Sequence, residues 1–346
     1  MPKMALFKKL ILLSTSFFIV AFLHRLNLIS LPSFLLRIPF LSGASDSEEE
    51  ERIPPTHHFT LSDSRTIAYS IYNPSITSKT AFYFHGTPSS HHEAFLLASA
   101  AKRYRVRIIA PSRPGFGGSE FNENGTILSY ADDIKQLADG LGVKRFAVIA
   151  VSGGAPFGFG CWKGISRNRI VGLAIVAGIY PVEGMNWSSR KVLLKVAGWW
   201  PGLVEWVIDR QVGGLEEDGI EEMMKSGGSE EEKKMWEEAS EEMKKSVIMS
   251  VREGVRYGGK GAAWELKLLG GNWGFELEEV RPGRKGEVVL WHGDRDENVP
   301  VGMARLGRER LGELSELRVV EGQGHGTLTV YMAEEIVRSV GEMFER

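Results

Sequence analysis

One cysteine, Cys161, stands in 346 residues. A single thiol excludes an internal disulfide framework and a cysteine-built zinc site, and it is silent about compartment. Net charge is nearly absent: 42 Lys and Arg against 44 Asp and Glu leave -2. No global field therefore marks the chain as a partner of nucleic acid or another polyanion. The histidines give a metal little to hold. His57-His58 and His91-His92 are adjacent pairs whose side chains diverge on a strand or a helix, and they are expected at the surface. The glycine-rich loop Arg113-Pro114-Gly115-Phe116-Gly117-Gly118-Ser119 lacks both the lysine of a P-loop and the spacing of a dinucleotide fingerprint. No internal repeat is present, and no cofactor or metal is expected.

Long apolar runs are also scarce, with one exception. Residues 10–23, LILLSTSFFIVAFL, carry no charge, follow Lys3, Lys8 and Lys9, and are succeeded by Arg25 and Arg37. A membrane-spanning helix needs about 20 apolar residues and a signal-peptide core about 7–15, so this run falls between. The basic flank before it and SEEEER after it favour an uncleaved signal-anchor with a lumenal body. Mitochondrial targeting is the alternative, since no acid precedes Asp46, and a helix packed on the globular body is a third reading. The sequons Asn124-Gly125-Thr126 and Asn186-Trp187-Ser188 are compatible with a lumenal body. Residues 1–41 are thus read as the anchor and 42–53 as a solvated acidic linker.

The body alternates short β-rich runs with helical stretches. HHFTL and RTIAYSIY suggest a hairpin turning at Ser62-Asp63-Ser64, while TAFYF, VRIIAP, RFAVIAV, RIVGLAIV, GEVVLW and SELRVV read as strands. EAFLLASAAKRY, ILSYADDIKQLADGLG, VGMARLGRERLG and TLTVYMAEEIVRSVGEMFE read as helices between them. Such alternation predicts an α/β fold with a mostly parallel sheet and helices on both faces. The pattern breaks over residues 181–283, predicted to be a helical insertion between core segments 54–180 and 284–346. Trp199, Trp200, Trp206, Trp236, Trp264 and Trp273 concentrate there, so its apolar side is expected to cover the sheet edge. Ser229 and Glu232 form a capping-box start for a charged helix expected to be solvated, and the methionines nearby are read as packing.

Three loops at strand ends carry the chemistry. The strand FAVIAV runs straight into Ser152, then Gly153 and Gly154. A bland reading makes Ser152 a cap in a tight turn. A sharper one makes the turn a nucleophile elbow, with Ala150 in place of the usual first glycine. His325, between Gly324 and Gly326, has room around its imidazole to act as a general base. Asp296 follows Gly293 by three and precedes Val299-Pro300, which selects it over Asp294, a turn cap, and Glu297 as the group orienting the imidazole; Glu183 is the remote fallback. The backbone N–H groups of Thr87, in His85-Gly86-Thr87-Pro88, and of Gly153 are candidate oxyanion donors, with His85 bracing that loop.

Taken together, HGTP, SRPGFGGS, AVSGG, HGDRDENVP and GQGHG in this order resemble the strand-end motifs of the α/β-hydrolase fold family, over residues 57–346. The resemblance implies a Ser152–His325–Asp296 triad, and it makes residues 181–283 a cap that shapes the substrate pocket. The H-G-x-P form is similar to that of epoxide hydrolases and haloalkane dehalogenases, which use an aspartate nucleophile. Serine at 152 argues instead for acyl transfer. Ser112-Arg113 departs from the family's frequent Asp-Arg, which puts one supporting hydrogen bond in question. The expected activity is hydrolysis of a small-molecule acyl substrate, a hydrophobic carboxylic ester or a lipid-like acyl compound. An amidase, a cofactor-free haloperoxidase and a non-catalytic ligand-binding member of the fold are the rivals.

Overall fold

The computed structural model describes residues 52–181, 189–212 and 216–345. The apolar run at 10–23, nearly all of the acidic linker, Glu183 and the Asn186 sequon lie outside them. Among the described residues no helix is long and apolar enough to cross a membrane.

Eight strands of the described residues form one sheet in the order β1-β2-β4-β3-β5-β6-β7-β8. They are β1 His57–Thr60, β2 Thr66–Tyr72, β3 Thr80–Phe84, β4 Arg107–Pro111, β5 Phe146–Val151, β6 Ile170–Val176, β7 Val288–Gly293 and β8 Glu316–Val320. β1–β2 is the expected hairpin, with Ser64 at φ 71°, and β2 runs antiparallel to β4; the other pairings are parallel. The unbroken apolar runs explain the centre. β5, β6 and β7 are buried at every residue, as strands covered on both faces must be, whereas the edge strand β1 is largely exposed and β8 half-buried.

Among the described residues twelve α-helices accompany the sheet: α1 Ala98–Arg103, α2 Tyr130–Gly140, α3 Ala155–Gly164, α4 Ser189–Trp199, α5 Pro201–Val212, α6 Glu217–Ser226, α7 Glu230–Glu238, α8 Glu241–Gly254, α9 Lys260–Gly270, α10 Val301–Leu311, α11 His325–Tyr331 and α12 Ala333–Glu342. α4 to α9 are inserted between β6 and β7. The stretch expected as one closing helix breaks at Met332 into α11 and α12, and EAFLLASAAKRY starts in a 3-10 segment, His91–Leu97, before α1 takes up its second half.

Several surface expectations are corrected. His57 and His58 are exposed, but His91 and His92 are buried. α8 lies over them with a face of small residues, the Ser246 hydroxyl donating to the His92 carbonyl and Gly254 against the Ser89 backbone. Burial, then the neighbouring His92 and His58, push the His91 imidazole down to about 3. The tryptophans split by helix face: Trp236 and Trp273 are buried, while Trp199, Trp200 and Trp206 point outward at 73%, 59% and 52% exposure. Met223 is likewise exposed.

Candidate active site

The sheet's strand order reverses between β3 and β5, where open parallel sheets place their ligands. Pairing Phe84 with Ala150 sets the loop after β3 beside the loop after β5. Pairing Gly293 with Val320 does the same for the loops after β7 and β8. Four strand ends thus bring His85–Thr87, Ser152–Gly154, Asp294–Asp296 and Gly322–His325 to one rim.

Ser152 has φ 50°, a left-handed backbone that a residue with a Cβ adopts at a cost of order 1–3 kcal/mol. The surroundings enforce it. A Cβ on Gly154 would lie 2.5 Å from the Phe84 carbonyl oxygen and 2.8 Å from that of His85, so only glycine lets β5 turn this tightly against β3. One face of α3 packs equally closely, a Cβ on Gly158 falling 2.8 Å from that of Ala150. The small residue at 150 is thereby accounted for.

His325 Nε2 lies 2.9 Å from Ser152 Oγ, and its Nδ1 2.8 Å from Asp296 Oδ2. A carboxylate only accepts, so Nδ1–H donates to Asp296, and Nε2 presents its lone pair to the Ser152 hydroxyl. The imidazole is fixed in the tautomer of a base. Asp296 is 4% exposed, and its Oδ1 accepts the backbone N–H groups of Asn298 and Val299, both at 2.8 Å. Burial alone would raise this carboxyl; the hydrogen bond and charge of His325, with the Val299 amide, outweigh it and hold it below the usual carboxylate range. Asp294 accepts the Gly322 N–H at 2.7 Å and ties the loops after β7 and β8 together. Glu297 is exposed. His292, on the other side of Asp296, is kept below the ordinary imidazole value by burial and lies 2.7 Å from the Val299 carbonyl oxygen through Nε2.

The loop after β3 is held from beneath. Burial and the Arg113 charge keep His85 far below its ordinary value, hence neutral. Its Nε2 accepts the Arg113 N–H at 3.1 Å, which leaves Nδ1–H to donate to the Gly86 carbonyl at 2.7 Å. Both ring nitrogens are used in bracing. Glu93 accepts the Gly86 N–H at 2.9 Å and the Tyr83 hydroxyl at 2.8 Å. Thr87 faces Gly153 so closely that a Cβ on Gly153 would lie 2.1 Å from Thr87 Oγ1. Ser112 fills the position the sequence left in question: its Oγ accepts the His91 N–H at 2.9 Å.

Three further residues at the site were not assigned to it from the sequence. Arg113 is fully buried, and its guanidinium grips the Glu265 carboxylate through Nε at 2.6 Å and Nη2 at 2.7 Å. It also donates to the carbonyls of His85 and Gly86 and lies over the Phe157 ring at 5.1 Å. Glu265, 3% exposed on α9, accepts the Thr87 hydroxyl as well. Removing one partner of a buried pair costs about 3–5 kcal/mol, because the other charge is stranded. Glu232 completes the capping box of α7, and its Oε1 accepts the Gly326 N–H at 2.8 Å, beside His325. The sequence held a signal for Glu265: it is an acid whose helical neighbours one turn away, Gly261, Ala262, Leu268 and Leu269, are all small or apolar.

Residues 82–339 match the model of the alpha/beta hydrolase family. No curated protein sequence matches the chain. Solved structures similar to it include an esterase from Exiguobacterium antarcticum, 15% identical with TM-score 0.60, the match covering 84% of this chain and 99% of that one. A bromoperoxidase from Bacillus anthracis is 16% identical with TM-score 0.62, covering 84% and 99%. An epoxide hydrolase from Vigna radiata is 19% identical with TM-score 0.60, covering 85% and 98%. At such identities the likeness is one of fold. With its central motifs, most of β3 and all of β4 to β8 inside the matched range, the chain belongs to the alpha/beta hydrolase family.

Proposed function

We propose that the protein is a serine hydrolase that cleaves a carboxylic ester through an acyl-enzyme. The observation that carries this reading is the unbroken relay from Ser152 Oγ through His325 to Asp296, at 2.9 and 2.8 Å. As Ser152 Oγ bonds to the ester carbonyl carbon, its proton passes to His325 Nε2, and the imidazolium that forms is held by Asp296. The carbonyl oxygen, now an anion, is received by the backbone N–H groups of Thr87 and Gly153. Collapse breaks the bond to the alkoxy oxygen, which leaves as the alcohol with the proton from His325. Water then repeats the sequence on the acyl-serine and releases the acid. Serine at position 152 supports this over an epoxide-opening route, where a carboxylate would attack. Tyr130, Phe157 and Trp264 beside Glu265 support an apolar acyl group.

Ser152→Ala is expected to fold like the wild type, to lose p-nitrophenyl butyrate hydrolysis by at least about a thousandfold, and to escape fluorophosphonate labelling. Turnover undiminished in that variant would end the proposal. We propose in addition that residues 10–23 hold the body at a membrane, on the strength of that uncharged run and the lysines preceding it.

A further inference from the structure

We propose that Glu265 is a positioning residue for the oxyanion loop, brought there by the inserted helices, and that Arg113 is the counter-charge allowing a carboxylate to stand beside a developing oxyanion. The inference rests on the serine-hydrolase reading and adds two residues to it.

Four observations lead here. The placement of Glu265 is enforced by its helix: α9 packs on α4 and α5 through Ala263 and Leu266, and a Cβ on Gly261 would lie 2.5 Å from the Gly115 carbonyl oxygen. The start of α9 is thus pressed onto the loop that carries Arg113. The carboxylate is also near the reacting atoms without touching Ser152. Its Oε1 is 3.5 Å from the place a Cβ on Gly153 would occupy, and it accepts the hydroxyl of Thr87. Thr87 and Gly153 are the residues whose N–H groups are proposed to receive the oxyanion. The hydroxyl of Thr87 is therefore committed to Glu265, which fixes its side chain and the orientation of its peptide. Lastly, the pairing is complete: Arg113 reaches both carboxylate oxygens, at 2.6 and 2.7 Å, and its Nη2 also lies 3.3 Å from Thr87 Oγ1.

An unbalanced carboxylate in this place would oppose the negative charge that builds up on the carbonyl oxygen during attack. Paired with Arg113 it presents almost no net charge and keeps only its value as an acceptor. A simple clamp between helix and loop would need no such balance. The two ideas differ in what the double variant does.

Glu265→Ala, Glu265→Gln, Arg113→Met and Arg113→Met/Glu265→Gln are compared with the wild type, every rate divided by the number of sites that a fluorophosphonate titrates. This normalisation removes losses due to misfolding. Glu265→Ala is expected to lower kcat about 10- to 100-fold with KM within about threefold, a fraction of the effect of deleting an oxyanion donor. It should weaken a trifluoromethyl ketone, whose adduct carries the oxyanion, by a similar factor. Glu265→Gln keeps an acceptor for Thr87 and should recover at least half of that loss on a logarithmic scale. Arg113→Met should be worse per site than the double variant, because only the single variant leaves the carboxylate unbalanced. If Arg113→Met does not fold, the comparison of alanine with glutamine at 265 and the ketone affinities still decide. Glu265→Ala within twofold of wild-type kcat, equal losses for alanine and glutamine, or ketone binding unchanged would each overturn the inference. So would an Arg113→Met that matches the double variant. Failure of the wild type to react with the fluorophosphonate would instead remove the serine-hydrolase reading, and this one with it.

Discussion

Asp296→Asn isolates the carboxylate's part in the relay with almost no change of shape. Asp296 uses its two oxygens differently: Oδ1 accepts the Asn298 and Val299 amides, and Oδ2 accepts His325 Nδ1–H. Asparagine has one oxygen, and two backbone donors claim it. The amide NH2 must then face the imidazole, and a donor there demands that Nδ1 accept. The proton moves to Nε2, the atom that has to receive the proton of Ser152. Charge is lost as well. An imidazolium nitrogen 2.8 Å from a carboxylate oxygen gains about 6 kcal/mol at an effective dielectric constant of about 20. At about 1.4 kcal/mol per tenfold, that is roughly four decades of rate. The expected result is a fall of about 10⁴ in kcat per titrated site, with KM little changed and the thermal midpoint close to that of the wild type. Nitrogen chemical shifts of the labelled imidazole would report the exchanged tautomer directly. Asp296→Ala, which presents no donor to Nδ1, should retain more activity than Asp296→Asn and respond to added formate. An asparagine variant with more than about a tenth of wild-type activity, or an imidazole still protonated at Nδ1, would refute the reasoning.

Gly154→Ala places a Cβ 2.5 Å from the Phe84 carbonyl oxygen, so β3 and β5 must separate at the elbow. Denaturant unfolding should record a loss of about 1–3 kcal/mol, and an unchanged midpoint would mean that the contact is not tight. Deleting residues 10–23 is expected to move the tagged protein from the carbonate-resistant pellet to the supernatant. Full-length protein already extracted by carbonate would dismiss the anchor.

The sheet was legible because its central strands are continuous apolar runs whose ends are marked by glycine or a polar loop. RFAVIAV and RIVGLAIV meet no competing helical period, and the β1–β2 turn announces itself in Ser62-Asp63-Ser64. Ser152, Asp296 and His325 were legible for a related reason. Each follows a strand within a few residues, among glycines that clear space around one side chain, and local pattern suffices to name such positions. It does not suffice for burial imposed by distant chain. His91 and His92 sit in a polar stretch that reads as surface until Ser246 and Ser250 of α8, more than 150 residues later, settle on it. Composition likewise counted the tryptophans without orienting them. Trp199, Leu203 and Trp206 share the outer side of the α4–α5 pair, while Ala197, Val204 and Ile208 hold the inner one.

The charged run from Ser229 to Ser246 shows how far a locally sound reading extends. Much of it is the solvated surface its composition announces: Lys233 pairs with Glu230 at 2.7 Å and Lys234 with Glu238 at 3.7 Å, exposed contacts worth little. Two carboxylates of the same run reach across to the core segments instead, one of them in a contact that is likewise exposed. Glu231 reaches Arg295 at 2.6 Å, next to Asp296, and Glu232 takes the Gly326 amide, next to His325. With Glu265 on Thr87, the inserted helices touch the loops after β3, β7 and β8 through three separate acids. Each acid meets a donor next in sequence to a member of the proposed triad or on a residue of the proposed oxyanion pair. Composition cannot separate such acids from their solvated neighbours, since the distinction lies in which donor waits across the cleft. It is the fold, by gathering four strand ends at one rim, that decides which carboxylates of an otherwise ordinary surface helix become part of the site.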